Sequence, residues 1–418
     1  MNKIVIQGGA SLKGVLSVNG AKNSALPILA ATLIAEGEYK IDNVPDLKDI
    51  RTMIRLLETF GLEIEKTGDH SYKIKNNGVK DIEAPYELVK EMRASFVVMG
   101  PLLAHVKKAR VSLPGGCAIG TRPIDFHLAG FEKLGAKIVL DHGFVTAEAE
   151  ELVGARVKLP FPSVGATQNI LMTAVKSKGE TIILNAAREP EIDDLCNFLN
   201  KMGAKIEGIG SDELKIQGVE KLTPCQHSII PDRIEAGTFI ITSIITEGDL
   251  EIKGVIENHL QGFIKKLEKI GVEFDFNDDR LRVKADLQKL KPAEISTEPY
   301  PGFPTDLQAQ TMVLLSLIDG KSELRETIFE NRFMHVLELK RMGANIKLDG
   351  NTAIIQGKVS FVGAEVSATD LRAGAALVLA GLVAGNTTSV NEIQHIERGY
   401  ENLVERLQSV GADIKLID

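Results

Sequence analysis

A five-residue pattern recurs six times in this chain: an apolar residue, glycine, a small or apolar residue, a polar residue and a β-former. The copies are FGLEI (60–64), LGAKI (134–138), MGAKI (202–206), IGVEF (270–274), MGANI (342–346) and VGADI (410–414). Their glycines lie 74, 68, 68, 72 and 68 residues apart. Repetition at a near-constant period constrains a fold tightly, because each copy must adopt the same local structure. An amphipathic segment runs up to each glycine, as in GFIKKLEKIG (262–271) and NLVERLQSVG (402–411). The glycine supplies the left-handed conformation that ends a helix, and a strand follows. Any helix–glycine–strand joint resembles one copy; the even spacing of six requires a repeated unit.

Every unit also carries a more apolar helix. The six are SALPILAATLIAEG (24–37), ASFVVMGPLLAHV (94–106), TQNILMTAVKSKG (167–179), AGTFIITSIITEG (236–248), LQAQTMVLLSLIDG (307–320) and RAGAALVLAGLVAG (372–385). A helix that is apolar nearly all round is buried. Units of about 70 residues with two helices and several strands exceed solenoid repeats. The expectation is duplicated α/β subdomains, three per domain, with helices inside and sheets outside. A chain of 418 residues has the length for two such domains.

Composition narrows the function. The net charge is -8, so a general binder of nucleic acid or acidic membrane is excluded; an anionic ligand must be held by locally clustered Arg and Lys. Three cysteines without CxxC spacing form neither a disulfide framework nor a zinc site. The opening MNKIVIQGG reads as a strand, not a signal peptide, and the longest apolar run, Ala373–Gly385, is too short to span a bilayer. A cytoplasmic protein with reduced thiols is expected. There is no GxGxxG and no HExxH, and GGCAIGTR places Thr121-Arg122 where a phosphate loop needs Lys-Ser/Thr.

The starts of the apolar helices are chemically unusual. Before or just inside them stand Lys22-Asn23, Arg93, Gln168-Asn169, Asp232-Arg233, Asp306, and Asp370 with Arg372. Amphipathic helices open on Arg122, Glu189, Glu257, Arg332 and Arg398. A helix N-terminus is already partly positive, so a cation there opposes the dipole and costs stability. Cations at such places in repeat after repeat imply a site for a multiply anionic ligand, expected in a cleft between the two domains.

Ten segments then carry a resemblance: GAKNSALP (20–27), MRAS (92–95), LPGGCAIGTRPID (113–125), SVGATQN (163–169), NAAREPEI (185–192), PDRIEAGTF (231–239), FPTDLQAQ (303–310), ENRFMHV (330–336), ATDLRAGA (368–375) and HIERGYE (395–401). In order and over the whole chain they resemble the UDP-N-acetylglucosamine 1-carboxyvinyltransferases, a family of enolpyruvyl transferases. The resemblance implies a two-domain inverted (inside-out) α/β barrel of six units. Domain 1 would span 21–229 and carry the Cys117 segment; domain 2 would combine 1–20 with 230–418. It implies no metal and no cofactor, and the small-molecule substrates phosphoenolpyruvate and UDP-N-acetylglucosamine.

By the same resemblance Cys117 is the general acid, or the site of a phosphoenolpyruvate adduct, and Asp306 the general base. Lys22, Asn23, Arg122, Arg332, Arg372 and Arg398 would bind phosphoenolpyruvate. Asn23, Arg93, Arg122, Pro123, Ile124, Asp125, Phe126, Ser163, Val164, Gly165, Asp306 and Ile328 would bind the sugar nucleotide. One departure stands out. Phe161 in LPFPSVGAT occupies the place where some members carry a lysine. Two rival readings are a 3-phosphoshikimate 1-carboxyvinyltransferase and a non-catalytic sugar-nucleotide sensor. The cysteine segment argues against the first, and the retention of Cys117, Asp306, Lys22 and Arg398 against the second. Cys196 and Cys225 are expected to be inert.

Overall fold

The computed structural model describes residues 2–113 and 124–417. The described residues form two compact units, one of 2–19 with 231–417 and the other of 20–113 with 124–230. Each unit holds three four-stranded sheets, and all six sheets share one topology: a parallel pair at one edge, then two antiparallel pairings. Glu294–Ser296, for example, runs parallel to Lys321–Arg325, which pairs antiparallel with Thr352–Gln356, itself antiparallel to Asn345–Asp349.

The pattern glycines do what their spacing implies. Gly61, Gly135, Gly203, Gly271, Gly343 and Gly411 all have φ between 95° and 109°, a range open to glycine and strained for other residues. Each closes a helix and hands the chain to an edge strand. The apolar helices are Lys22–Ala31, Met99–Val106, Val164–Ala174, Arg233–Ile245, Gln308–Leu317 and Leu371–Leu382. All but the first residue of Arg233–Ile245 and of Leu371–Leu382 are buried. Central strands such as Ser71–Asn76 and Thr352–Gln356 instead alternate buried with more exposed positions, so one face of the sheet is buried and the other meets water.

One helix departs from expectation. Residues 94–106 do not form a single α-helix but a 3-10 turn, Arg93–Val98, followed by Met99–Val106. Pro101 has no N–H to give Val97, and the neighbouring Gly100 N–H is taken by the Asn169 side-chain oxygen at 2.8 Å.

Among the described residues the chain passes between units after Asn19 and after Ile230, and each passage exchanges a strand. Elsewhere the strand before an apolar helix pairs parallel with the strand after it, as Arg156–Lys158 does with Glu180–Leu184 around Val164–Ala174. Lys13–Ser17 precedes the Lys22–Ala31 helix yet pairs with Asp249–Lys253. Gln226–Ser228 precedes Arg233–Ile245 yet pairs with Gly37–Asp42. A third long-range join places Lys3–Gln7 between Thr387–Asn391 and Asp413–Ile417, so the first strand completes the last repeat.

Ile6, fully buried on that central strand, makes the join testable. Replacing Ile6 by Ala should cost about 2–5 kcal/mol, the usual penalty for a large-to-small change in a core. Urea unfolding measures it; an unchanged midpoint would mean that the strand adds nothing to the unit formed by 231–417.

Candidate functional site

In the unit formed by 2–19 and 231–417, Asp306, Arg332 and Arg372 come together. Asp306 lies in the short 3-10 turn Thr305–Leu307 that leads into the Gln308–Leu317 helix. Arg332 Nη2 donates to Asp306 Oδ1 at 2.9 Å, and Arg372 Nη2 to Oδ2 at 3.3 Å. Arg372 sits at the start of Leu371–Leu382, where the Asp370 side chain caps the helix by accepting the Arg372 and Ala373 N–H groups at 2.8 and 3.0 Å. That carboxylate offsets part of the cost of a cation at a helix N-terminus.

Arg372 is only 1 % exposed. Burial would push its pKa down, but acidic groups nearby, the Asp306 and Asp232 carboxylates among them, outweigh that and hold it above the usual arginine value. Its Nε and Nη1 protons are buried without an acceptor among the described residues. Leaving such donors unsatisfied costs about 1–3 kcal/mol or more each, so a fold keeps them where they serve a ligand. The guanidinium lies 5.4 Å from the ring centre of Tyr400, whose hydroxyl joins Thr238 at 2.8 Å and accepts from Gln310 Nε2 at 3.1 Å. Burial pushes the Tyr400 pKa up, so the phenol stays protonated beside the arginine. The group can hold an anion with Arg332 and Arg372 while Asp306 takes a proton from a neighbouring hydroxyl.

The unit formed by 20–113 and 124–230 gathers a second set. Lys22, first residue of its helix and 7 % exposed, pairs with buried Asp49 at 3.3 Å. Asn23 follows it, half-buried. Ser163 caps the Val164–Ala174 helix through the Ala166 N–H at 3.4 Å. Val164, Gly165, Ile124 and Phe126 are half-buried and Asp125 is exposed. A Cβ on Gly165 would stand 3.0 Å from His127 Cε1, so glycine is what lets that ring approach the helix start. His127 is joined to Asn169 at 2.8 Å and meets Phe96 edge-on at 5.3 Å. Burial, helped by the charge of Arg93, lowers its pKa to about 4. Phe161 is 39 % exposed, and its carbonyl accepts the Ser163 N–H at 2.7 Å.

Cys117, Arg122 and Pro123 lie outside the described residues. Arg398 ends the 3-10 turn Ile393–Arg398, and Ile328 is half-buried just after the Lys321–Arg325 strand. Of the other cysteines, Cys196 is fully buried and Cys225 half-buried; burial pushes both thiols up, away from the reactive thiolate. Among the described residues no cluster of His, Cys, Asp and Glu could hold a metal. His127, Tyr400 and Glu326 were not marked by sequence pattern. His127 and Tyr400 make their contacts with residues distant in the chain, and Glu326 with both near and distant ones.

Residues 6–407 match the family described as EPSP synthase (3-phosphoshikimate 1-carboxyvinyltransferase). The chain belongs to this family of enolpyruvyl transferases. Within the family it is 54% identical over 419 residues to UDP-N-acetylglucosamine 1-carboxyvinyltransferase 2 of Carboxydothermus hydrogenoformans, covering 100% of both chains. It is 53% identical over 412 residues to UDP-N-acetylglucosamine 1-carboxyvinyltransferase 1 of Caldanaerobacter subterraneus, covering 99% of each. Among solved structures it is similar to the enolpyruvyl transferase NikO from Streptomyces tendae, with TM-score 0.90 and 25% identity over 99% of this chain and 98% of that one. EPSP synthase from Acinetobacter baumannii shares the fold at TM-score 0.77, with 18% identity and full coverage of both chains.

His127 and His335 give this family member a titration signature. Burial lowers both to about 4; Arg332 adds to the effect at His335, against Asp370. A lowered histidine binds its proton in the unfolded chain first, so its contribution to stability is lost as pH falls from about 6.5 to 4. NMR of the eight histidines should find two that stay neutral down to about pH 4. Ordinary titration near 6.5 at either would contradict the packing around it.

Proposed function

We propose that the protein transfers the enolpyruvyl group of phosphoenolpyruvate to the 3′-hydroxyl of UDP-N-acetylglucosamine, releasing phosphate, as the first committed step of peptidoglycan synthesis. The observation that carries this reading is the Asp306 carboxylate held between Arg332 and the buried Arg372. It gains weight from relatives more than half identical over their whole length that bear that activity's name. The reading makes it a cytoplasmic enzyme acting on small molecules; no described helix is long and apolar enough to cross a membrane. The same reading makes each unit an inside-out α/β barrel of three repeats.

The chemistry assigns the residues. The sugar hydroxyl oxygen adds to carbon 2 of phosphoenolpyruvate as Asp306 accepts its proton, and carbon 3 takes a proton from Cys117. The tetrahedral adduct then returns a carbon 3 proton to the Cys117 thiolate and breaks its carbon 2–oxygen bond to phosphate, which departs with the proton held by Asp306, giving the enol ether and phosphate. Lys22, Asn23, Arg122, Arg332, Arg372 and Arg398 hold the phosphate and carboxylate, and fixed cations of this kind stabilise charge as it develops. Asn23, Arg93, Arg122, Pro123, Ile124–Phe126, Ser163–Gly165, Asp306 and Ile328 bind the sugar nucleotide. Where relatives offer a lysine, Phe161 presents an aromatic face, so the diphosphate relies on the remaining cations.

Arg332 and Arg372 both hold the Asp306 carboxylate, and an incoming phosphate or carboxylate competes for the same guanidiniums.

A second, rival reading, transfer to 3-phosphoshikimate, shares the family description but is not favoured by the relatives more than half identical to this chain. One assay separates the two. Phosphate should be released only when phosphoenolpyruvate and UDP-N-acetylglucosamine are both present; release with shikimate 3-phosphate instead would establish the second reading. The thiols offer an independent check. Fosfomycin should label Cys117 and leave Cys196 and Cys225 unmodified; peptide mass spectrometry that finds the label on either of these two would remove Cys117 from the mechanism.

A further inference from the structure

We propose that Glu326 is a positioning residue for this reaction: its buried carboxylate ties the turn bearing Asp306 to the segment bearing Ile328 and Arg332. The proposal rests on the roles given to Asp306 and Ile328 above. Glu326 follows the Lys321–Arg325 strand and is 2 % exposed. Its Oε1 accepts from Thr297 Oγ1 at 2.9 Å and from the N–H groups of Ile328 and Phe329 at 2.8 and 3.2 Å. Its Oε2 accepts from Thr305 Oγ1 at 2.8 Å. The main chain is held as well, by Asn351, which takes the Glu326 N–H at 2.8 Å and donates its side-chain amide to the Glu326 carbonyl at 3.0 Å.

All four carboxylate donors are neutral. Burying a carboxylate on hydroxyls and peptide N–H groups is expensive compared with filling the space with an apolar side chain. The arrangement therefore does something that packing cannot. A carboxylate can accept from a hydroxyl on one side and from two peptide groups on the other, and so fix the distance between them.

One arm reaches Asp306 through Thr305, its neighbour in a turn of only three residues. So short a turn has little hydrogen bonding of its own to resist rocking. The other arm orders Ile328 and Phe329, and the Phe329 ring lies 5.2 Å from the Arg332 guanidinium. Thr297 closes the network by accepting the Thr327 N–H at 2.9 Å. Glu326 thus braces Asp306 and Arg332, which meet at 2.9 Å, from behind on both sides.

Thr305 allows the arms to be separated. Thr305→Val removes the Asp306 arm and leaves the Ile328 arm intact, whereas Thr305→Ser keeps the hydroxyl. In the phosphate-release assay Thr305→Val should lower kcat roughly 10- to 100-fold, the scale expected when a reacting group shifts by about 1 Å. KM for UDP-N-acetylglucosamine should change far less than kcat, the thermal midpoint should fall because the buried Glu326 Oε2 loses its donor, and Thr305→Ser should restore both kcat and the midpoint. Glu326→Ala, losing both arms, should lower kcat and also raise that KM; Thr305→Val decides the matter where Glu326→Ala does not fold. Wild-type kcat in Thr305→Val, or no rescue by Thr305→Ser, overturns the proposal while leaving the proposed activity standing. A wild-type protein that releases no phosphate overturns the activity and this role with it.

Discussion

Six helices that are apolar around most of their circumference must be covered on every side, and the rest of the structure answers to that demand. A sheet has two faces and buries one at little cost; such a helix has no face to give to water. Alternating strands such as Thr352–Gln356 accordingly bury one set of side chains and leave the other exposed. The amphipathic helices and the left-handed glycines that end them return the chain to the outer layer each time. Burying the helices also confines polar chemistry to their ends, where free N–H groups and the positive end of the dipole already stand.

The cations at those ends carry a cost that the fold offsets only in part. Asp370 caps the helix that begins beside Arg372, and Asp49 pairs with Lys22. Asp306 takes one guanidinium nitrogen each from Arg332 and Arg372. Yet two further nitrogens of Arg372 lie buried without acceptors among the described residues. A protein selected for stability alone would place an apolar side chain there. The unmet donors are consistent with a site prepared for an anion, in which stability is given up for binding and charge stabilisation.

Buried carboxylates held by hydrogen bonds brace the residues around the charged groups. Glu326 does this behind Asp306. In the other unit Asp194 accepts from Ser24, from His227 at 2.8 Å and from the Ile230 N–H at 3.2 Å, while Lys201 joins the far side of the His227 ring at 3.1 Å. Ser24 is two residues from Lys22, and Ile230 is where the chain leaves the unit. A fully satisfied buried network of this kind fixes one arrangement where an apolar cluster would allow several.

Much of this was legible in the sequence, for a physical reason. Period and burial are local properties, so six glycines and six apolar runs sufficed to predict the repeats, the helix ends and which helices are buried. Lys22, Asp306 and Arg372 drew notice because a charge beside an apolar run is itself a local contradiction. Only the tertiary structure decided what depends on strand pairing and on contacts across the chain. Nothing in Lys13–Ser17 or Gln226–Ser228 encodes its exchange of partners, since a three- to five-residue strand accepts any complementary edge. The 3-10 start before Met99 arose because Asn169, from another helix, captured the Gly100 N–H. His127 and Glu326 took their roles from neighbours far away in sequence, because burial and hydrogen bonding are set by what the fold brings near.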